Sequence, residues 1–354
     1  MTDAPVLALV GGFLGAGKTT LLIRAAALLR RDGLRVAIIT NDQGGELVDT
    51  RLAAANGVNA AEVAGACFCC RYSEFVGAAR RLLEFAPDVI FAEPVGSCTD
   101  LSATVLQPLK HYHHAQFQLA PFTVLVDPAR ARELLAPGAD PRLAFLFRNQ
   151  LEEADLLCYT KADLHNEFPN LGRPARRLSS QTGEGIAEWL AGVFSGAPAG
   201  ARVLDLDYQR YAEAEAALGW LNWQADVVLK RAARPAEVVG PWLEELDRAL
   251  AETGAAIAHL KVFGRARTGW IKASICRSGD EPGVDGDLLA RPARKHELVL
   301  NLRACAAPDV LSAAVDRAAA RLPGAVTVRH KQSFRPAAPQ PERRMPAGLR
   351  PPSS

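Results

Sequence analysis

Gly12-x4-Gly17-Lys18-Thr19, inside Gly11-Gly12-Phe13-Leu14-Gly15-Ala16-Gly17-Lys18-Thr19-Thr20, has the residue types and spacing to hold a polyphosphate. Glycines at Gly12, Gly15 and Gly17 let consecutive backbone N–H groups, with that of Ala16, curl around an anion with no Cβ in the way. A helix starting near Lys18 points its positive end at the same anion. Lys18 supplies a point charge to the β- and γ-phosphates, and Thr19 a hydroxyl ligand to Mg²⁺, with Thr20 beside it.

A second chemistry lies at Cys67-Phe68-Cys69-Cys70. Three thiols within four residues converge on one centre if the backbone bends. Soft thiolates select Zn²⁺, Cu(I) or similarly thiophilic ions, and three of them leave a fourth position for His, carboxylate or water. A redox pair built from Cys67 and Cys70, or structural burial, are the other readings. Cys98 is read as a third-shell or packing residue rather than a ligand. His111, His113 and His114 are metal-ligand types or simply an exposed polar loop.

Acids stand at two strand tips. Asn41-Asp42-Gln43-Gly44-Gly45-Glu46-Leu47-Val48-Asp49 reads as a switch whose Asp42, Glu46 or Asp49 approaches Mg²⁺, the attacking water or a second metal. Glu93-Pro94-Val95-Gly96 puts an acid where phosphate-loop proteins keep a Mg²⁺-linked carboxylate, and Gly96 where they sense the γ-phosphate. Lys18, Glu93 and Asp49 are the expected catalytic residues. Thr160-Lys161-Ala162-Asp163 is close to the motif that reads guanine. Asp163 would accept from the guanine N1–H and 2-amino groups, which adenine lacks. Lys161 would cover the base with its stem. Ser180, in the turn Ser179-Ser180-Gln181-Thr182-Gly183, would close over it. Together these favour GTP over ATP.

These residues need a particular scaffold. Val6–Val10, Arg35–Asn41, Pro87–Ala92, Pro121–Asp127 and Asp155–Thr160 read as buried strands, each followed by a loop or helix. That alternation predicts an α/β fold, a mostly parallel sheet flanked by helices, over residues 1–200. A helix is predicted from about Cys98 to Leu109. Beyond the linker-like Ser195–Gly200 the pattern becomes β-α-β-β-β-α-β, a smaller α+β domain over 201–333. Residues 334–354, rich in Pro and Arg, read as a disordered tail.

The 354 residues carry a net charge of +2, so no strong field recommends nucleic acid or a membrane surface as partner. No run of eighteen apolar residues occurs, and Met1-Thr2-Asp3-Ala4-Pro5 lacks the basic-then-apolar pattern of a leader, so a cytoplasmic location is expected.

The phosphate loop followed by C-x-C-C, with Glu93–Gly96 and Thr160–Asp163 in order, resembles the CobW-type GTPases over about the first 200 residues. The resemblance implies a SIMIBI-like phosphate-loop NTPase that hydrolyses GTP with Mg²⁺. It implies a metal chaperone or insertase binding Zn²⁺, Co²⁺ or a similar ion at Cys67, Cys69 and Cys70, with Thr19 and Glu93 on Mg²⁺. A client metalloprotein or metal-cofactor pathway enzyme is the implied partner, and a nucleotide-dependent homodimer is plausible by analogy. The alternative is a passive zinc-storage protein with GTP as a structural ligand. Two departures stand out: Asn41-Asp42-Gln43-Gly44-Gly45-Glu46 differs from the family's N-E-F-G-E, and Thr160 replaces Asn.

Overall fold

A computed structural model describes residues 4–42 and 48–348. The chain divides into two units: described residues 4–42, 56–214 and 338–348 form the first, and 48–55 with 215–337 the second.

The first unit contains β1 (Val6–Gly12), α1 (Lys18–Arg31) and β2 (Val36–Asp42). The chain then passes through α2 (Val48–Ala55), which belongs to the second unit. It returns with β3 (Asn59–Ala64), α3 (Tyr72–Leu82), β4 (Val89–Glu93) and α4 (Gln107–Tyr112). There follow β5 (Gln118–Leu119), β6 (Thr123–Val126), α5 (Pro128–Leu135), α6 (Pro141–Glu153), β7 (Leu156–Tyr159), β8 (Ala175–Arg177), α7 (Ile186–Val193) and α8 (Tyr208–Glu215). The strands pair in parallel in the order β3-β2-β4-β1-β6-β7-β8, with β5 also on β1. Apolar runs such as Leu7–Val10 are buried throughout, as expected of strands covered on both faces. α1 turns Leu21, Leu22, Ala25, Ala26 and Leu29 onto this core, where Ile38, Phe91 and Trp189 meet them. The carboxyl ends of β1, β2, β4 and β7 carry the phosphate loop, the Asn41–Asp42 segment, Glu93 and Thr160, which is where such sheets hold ligands.

The second unit is an antiparallel sheet in the order β12-β11-β10-β13-β9-β14. Its strands are β9 (Gly219–Ala233), β10 (Ala256–Ala266), β11 (Gly269–Ile275), β12 (Gly283–Gly286), β13 (Ala293–Cys305) and β14 (Ala325–Phe334). α9 (Pro235–Ala251) and α10 (Pro308–Ala319) share one core with Trp223, Val227, Leu260 and Leu300. α2 packs elsewhere on the sheet, Val48 lying with Phe263, Val299 and Trp270. The predicted β-α-β-β-β-α-β order holds with one addition, the short strand β12 between β11 and β13.

Three boundaries differ from the sequence reading. Residues 201–214 stay with the first unit because Leu204, Leu206, Tyr211 and Ala214 are buried and Tyr211 Oη accepts from Thr99 N at 3.2 Å. The helix expected from Cys98 starts only at Leu101, passes through a π-helical stretch at Ser102–Leu106 and continues as α4. Residues 338–348 of the tail are docked on the first unit. Arg344 Nε donates to the buried Asp100 carboxylate at 2.8 Å, and Met345 N to Ala103 O at 2.9 Å. A segment poor in apolar residues is expected to stay disordered, but these groups hold it through specific polar partners.

Candidate functional site

The phosphate loop begins where β1 ends. Gly12 has φ of 135°, and a Cβ there would lie 2.5 Å from the carbonyl oxygen of Leu125, so only glycine fits. Gly15 and Gly17 are also left-handed, at φ 80° and 83°, and Gly17 caps α1. Ala16 N donates to Phe13 O at 3.0 Å and closes the turn. Lys18 Nζ reaches back over the loop to Gly12 O at 2.8 Å, so its charge sits at the mouth of the cradle. Thr20 follows Thr19 in the first turn of α1.

Thr19 Oγ1 donates to Glu93 Oε1 at 3.0 Å, across 74 residues of sequence. Both side chains are buried. The hydroxyl and carboxylate expected to serve one Mg²⁺ therefore stand in contact at the adjacent ends of β1 and β4. Gly96 serves the loop as well: a Cβ there would lie 3.1 Å from both Leu14 N and Leu14 Cα.

Thr160 Oγ1 donates to Ala16 O at 2.9 Å, tying the end of β7 to the phosphate loop. The Thr160 hydroxyl thus braces the phosphate loop at the position where the family's motif carries Asn. Lys161, left-handed at φ 54°, places Nζ 2.6 Å from Asp127 Oδ2. Burial opposes ionisation of Asp127, but the Lys161 ammonium and the Ala129 and Arg130 N–H groups hold its carboxyl below the usual range. Asp163 is exposed just beyond, and the partly buried Ser180 follows Ser179, whose Oγ accepts from Thr182 N at 3.1 Å. The Ser179 contact fixes the turn that follows β8.

The switch region divides. Asn41, at the end of β2, donates to Val63 O at 2.8 Å and Ala66 O at 2.7 Å and accepts from Phe68 N at 2.9 Å. It therefore pins the cysteine loop to the sheet. Gly44, Gly45 and Glu46 lie outside the described residues. Asp49, expected among the catalytic acids, is the second residue of α2. Its carboxylate accepts from Lys261 Nζ at 2.6 and 2.7 Å within the second unit, an anchoring ion pair.

Cys67, Cys69 and Cys70 bring their sulfurs within 4.8 Å of one another. Among the described residues this is the one set of three or more Cys, His, Asp or Glu ligand atoms so gathered; His111, His113 and His114 are not in it. Cys67 and Cys69 sulfurs are 2.7 Å apart, and those of Cys69 and Cys70 are 3.8 Å apart. Hydrogen bonds from Cys69, Cys70 and Cys98 hold the Cys67 thiol well below its ordinary range, as for a thiolate. Hydrogen bonding to Cys67, Cys70 and Cys98, with burial, pushes Cys69 well above it, and Cys70 rises to about 11 chiefly through Cys67. The tail crosses this cluster: Gln340 N donates to Cys70 Sγ at 3.2 Å, and Glu342 N to Cys69 O at 3.0 Å. Glu342 Oε2 accepts from Ser73 N at 3.0 Å and Ser73 Oγ at 2.6 Å. The tail was not expected here, and nothing in its Pro- and Arg-rich sequence marks it for this site.

A family model described as "CobW/HypB/UreG, nucleotide-binding domain" matches residues 6–184. No curated protein matches the chain. Among solved structures, the Zn(II)-bound YjiA GTPase from E. coli is 15% identical, over 89% of this chain and 99% of its own, with a TM-score of 0.34. HypB from Helicobacter pylori in complex with nickel is 17% identical, over 53% of this chain and 84% of its own, with a TM-score of 0.40.

Proposed function

Because the chain belongs to the CobW/HypB/UreG nucleotide-binding family, we propose that it is a GTP-hydrolysing metal chaperone whose cargo is a thiophilic ion. The observation that carries this reading is the pairing of two built sites in one unit: the Thr19–Glu93 contact beside the phosphate loop, and the three-sulfur cluster pinned to the same sheet by Asn41.

The residues present fit the nucleotide and its ion. The glycine cradle has no room for side chains at Gly12, Lys18 is already directed over it, and Thr19 and Glu93 offer two hard oxygens at one point. Mg²⁺ would neutralise charge developing on the phosphates. Lys18 would exchange its contact with Gly12 O for phosphate oxygens, Thr160 keeps Ala16 in place, and Asp163 selects guanine. Thr19 would hold Mg²⁺ with its hydroxyl, and Glu93 would support the ion through a water. Hydrolysis is slow in isolation, on the order of 10⁻⁴ to 10⁻² per second, since no arginine finger is assigned.

The donor set of the cluster suits Zn²⁺ or Co²⁺. Each thiol gives up its proton as it coordinates. Nucleotide state changes the loops that carry both sites, and metal affinity follows. The acceptor is a metalloprotein or an enzyme of a metal-cofactor pathway, in the cytoplasm; no helix of the described residues is long and apolar enough to cross a membrane. A nucleotide-dependent dimer belongs to the same proposal.

The test is competition titration of Zn²⁺ and Co²⁺ into the reduced protein, alone, with GDP, and with Mg²⁺ and a non-hydrolysable GTP analogue. The expected result is an affinity shift of about tenfold or more between nucleotide states, about 1.4 kcal/mol. It should vanish in Cys67→Ser/Cys69→Ser/Cys70→Ser. Tight binding identical in all three states would favour a passive metal-binding protein instead.

A further inference from the structure

The thiol cluster has a cover. Cys67 and Cys69 are 4% and 2% exposed, and Cys70 is half-buried. Residues 338–348, which belong to the same unit and form neither helix nor strand, cross the cluster. Gln340 N lies 3.2 Å from Cys70 Sγ, and Glu342 N donates to Cys69 O at 3.0 Å.

The segment is fastened at several further points. Glu342 Oε2 accepts from Ser73 N and Ser73 Oγ, near the start of α3. Arg343 lies over the Tyr112 ring, 4.9 Å from its centre. Arg344 Nε donates to Asp100 Oδ2 at 2.8 Å, and Arg344 Nη2 to Leu204 O at 2.6 Å. Met345 N reaches Ala103 O at 2.9 Å. Asp100 is fully buried, and Tyr208 Oη donates to the same carboxylate oxygen at 2.6 Å. A buried carboxylate needs a countercharge, and Arg344 brings one.

These fastenings also make the segment releasable. Gln340, Glu342, Arg343 and Arg344 are exposed, and no residue of 338–348 is fully buried. A segment held by polar contacts with little apolar burial opens locally while the core stays folded. The cysteine loop differs, since Asn41 ties it to the end of β2 and to Val63 in β3. The loop therefore keeps its place when the segment lifts. Three thiolates leave one position of a tetrahedral ion for an incoming ligand. Cys70 is the most exposed of the three sulfurs, and it is the one on which Gln340 lies, so a ligand approaching there meets the tail first.

We propose that residues 338–348 are a strap over the thiol cluster, latched by Arg344 on Asp100 and by Glu342 on Ser73, and that a thiophilic ion is loaded or handed on when the strap lifts. This rests on the metal-binding reading above and adds a gate to it. The gate is an autoinhibitory contact within one unit. Its closed state is the one described here, and its open state exposes Cys70 to a chelator, an alkylating reagent or the thiols of an acceptor.

The experiment compares the reduced full chain with Glu342→Ala/Arg344→Ala, which removes both latches and leaves the net charge unchanged, and with Glu342→Ala alone, an exposed position that the fold does not need. Hydrogen exchange at the amides of Gln340, Glu342 and Met345 reports whether the strap is shut. Alkylation of Cys70 without metal reports access to the sulfur, and transfer of zinc from the loaded protein to a chromophoric chelator reports the gate. In the double variant all three should quicken together, by about thirtyfold or more, with Glu342→Ala in between. Fast exchange at these amides in the parent, or exchange unchanged in the double variant, would overturn the latch. Faster exchange with unchanged alkylation and unchanged zinc transfer would overturn the gate. If no zinc binds, the metal-binding reading fails by itself, and faster alkylation would leave the strap as a cover for thiols alone.

Discussion

Gly96→Ala separates two reasons for a glycine at that position. If Gly96 serves only the γ-phosphate, the substitution weakens GTP and spares GDP and the apo fold. The structure predicts otherwise, because the added Cβ would lie 2.9 Å from Leu14 Cδ2 and 3.1 Å from Leu14 N and Cα. The Leu14 methyl can rotate aside, but the backbone of the phosphate loop must shift by a few tenths of an ångström. Overpacking by one methyl group against backbone costs about 1–2 kcal/mol, the lower part of the range for small-to-large changes. In a unit of this size that lowers Tm by about 2–8 °C. If the strain is taken up by the loop, it weakens GDP and GTP alike by about five- to thirtyfold. Differential scanning calorimetry and fluorescent-nucleotide titration would check both. Gly240→Ala, where nothing lies within 4 Å of the added Cβ, is the control and should be neutral or slightly stabilising. An unchanged Tm with unchanged GDP affinity would refute the reasoning.

Other outcomes follow from named contacts. Asp49→Asn breaks an ion pair whose side chains are 15% and 13% exposed for Asp49 and Lys261, and should cost about 1–3 kcal/mol in thermal unfolding while GTP hydrolysis persists; loss of turnover at unchanged stability would restore Asp49 to the catalytic set. Thr160→Val removes the brace on Ala16 O and should weaken nucleotide by about 1–3 kcal/mol, read by the same titration. Burial pushes Glu153 up to about 8 in the folded protein. The unfolded chain ionises this group first, so its contribution to stability is full below about pH 4.5 and is lost as pH rises to about 8. A few kcal/mol are at stake, and Glu153→Gln should flatten that slope in denaturant titrations. Glu342→Ala removes two hydrogen bonds to Ser73, about 1 kcal/mol each, and should speed alkylation of Cys70 by about five- to thirtyfold if the tail guards the cluster.

What could be read in the sequence was whatever local spacing encodes. Gly12-x4-Gly17-Lys18-Thr19 specified loop, helix start and cation in one run, and alternating apolar strands specified the parallel sheet. The second sheet was legible because strands and helices there keep clean periods, as in Trp242, Leu243, Leu246 and Leu250 of α9. Contacts between distant segments were not legible. Thr19 meets Glu93, 74 residues away in sequence, only because β4 lies beside β1. Asp49 looked like a switch acid because it follows a strand tip, but its partner Lys261 is 212 residues away. The tail misled because a Pro- and Arg-rich segment has few apolar side chains to bury, whereas what docks it is polar: Arg344 meets the buried acid Asp100, Glu342 accepts from Ser73, and the N–H groups of Gln340, Glu342 and Met345 find acceptors on the first unit.

These contacts also limit how nucleotide and metal can influence each other. β2, through Asn41, holds the C-x-C-C loop, and Glu93, at the end of the neighbouring β4, is hydrogen bonded to Thr19 in α1. If nucleotide and metal are coupled as proposed, Asn41→Ala should shrink the nucleotide-dependent shift in Zn²⁺ affinity while GTP still binds through Lys18 and Thr19. Linkage makes the test reciprocal: the factor by which Zn²⁺ changes GTP affinity in the parent must equal the factor by which GTP changes Zn²⁺ affinity, and both must fall together in the variant. A variant that kept the full shift would remove Asn41 from the coupling.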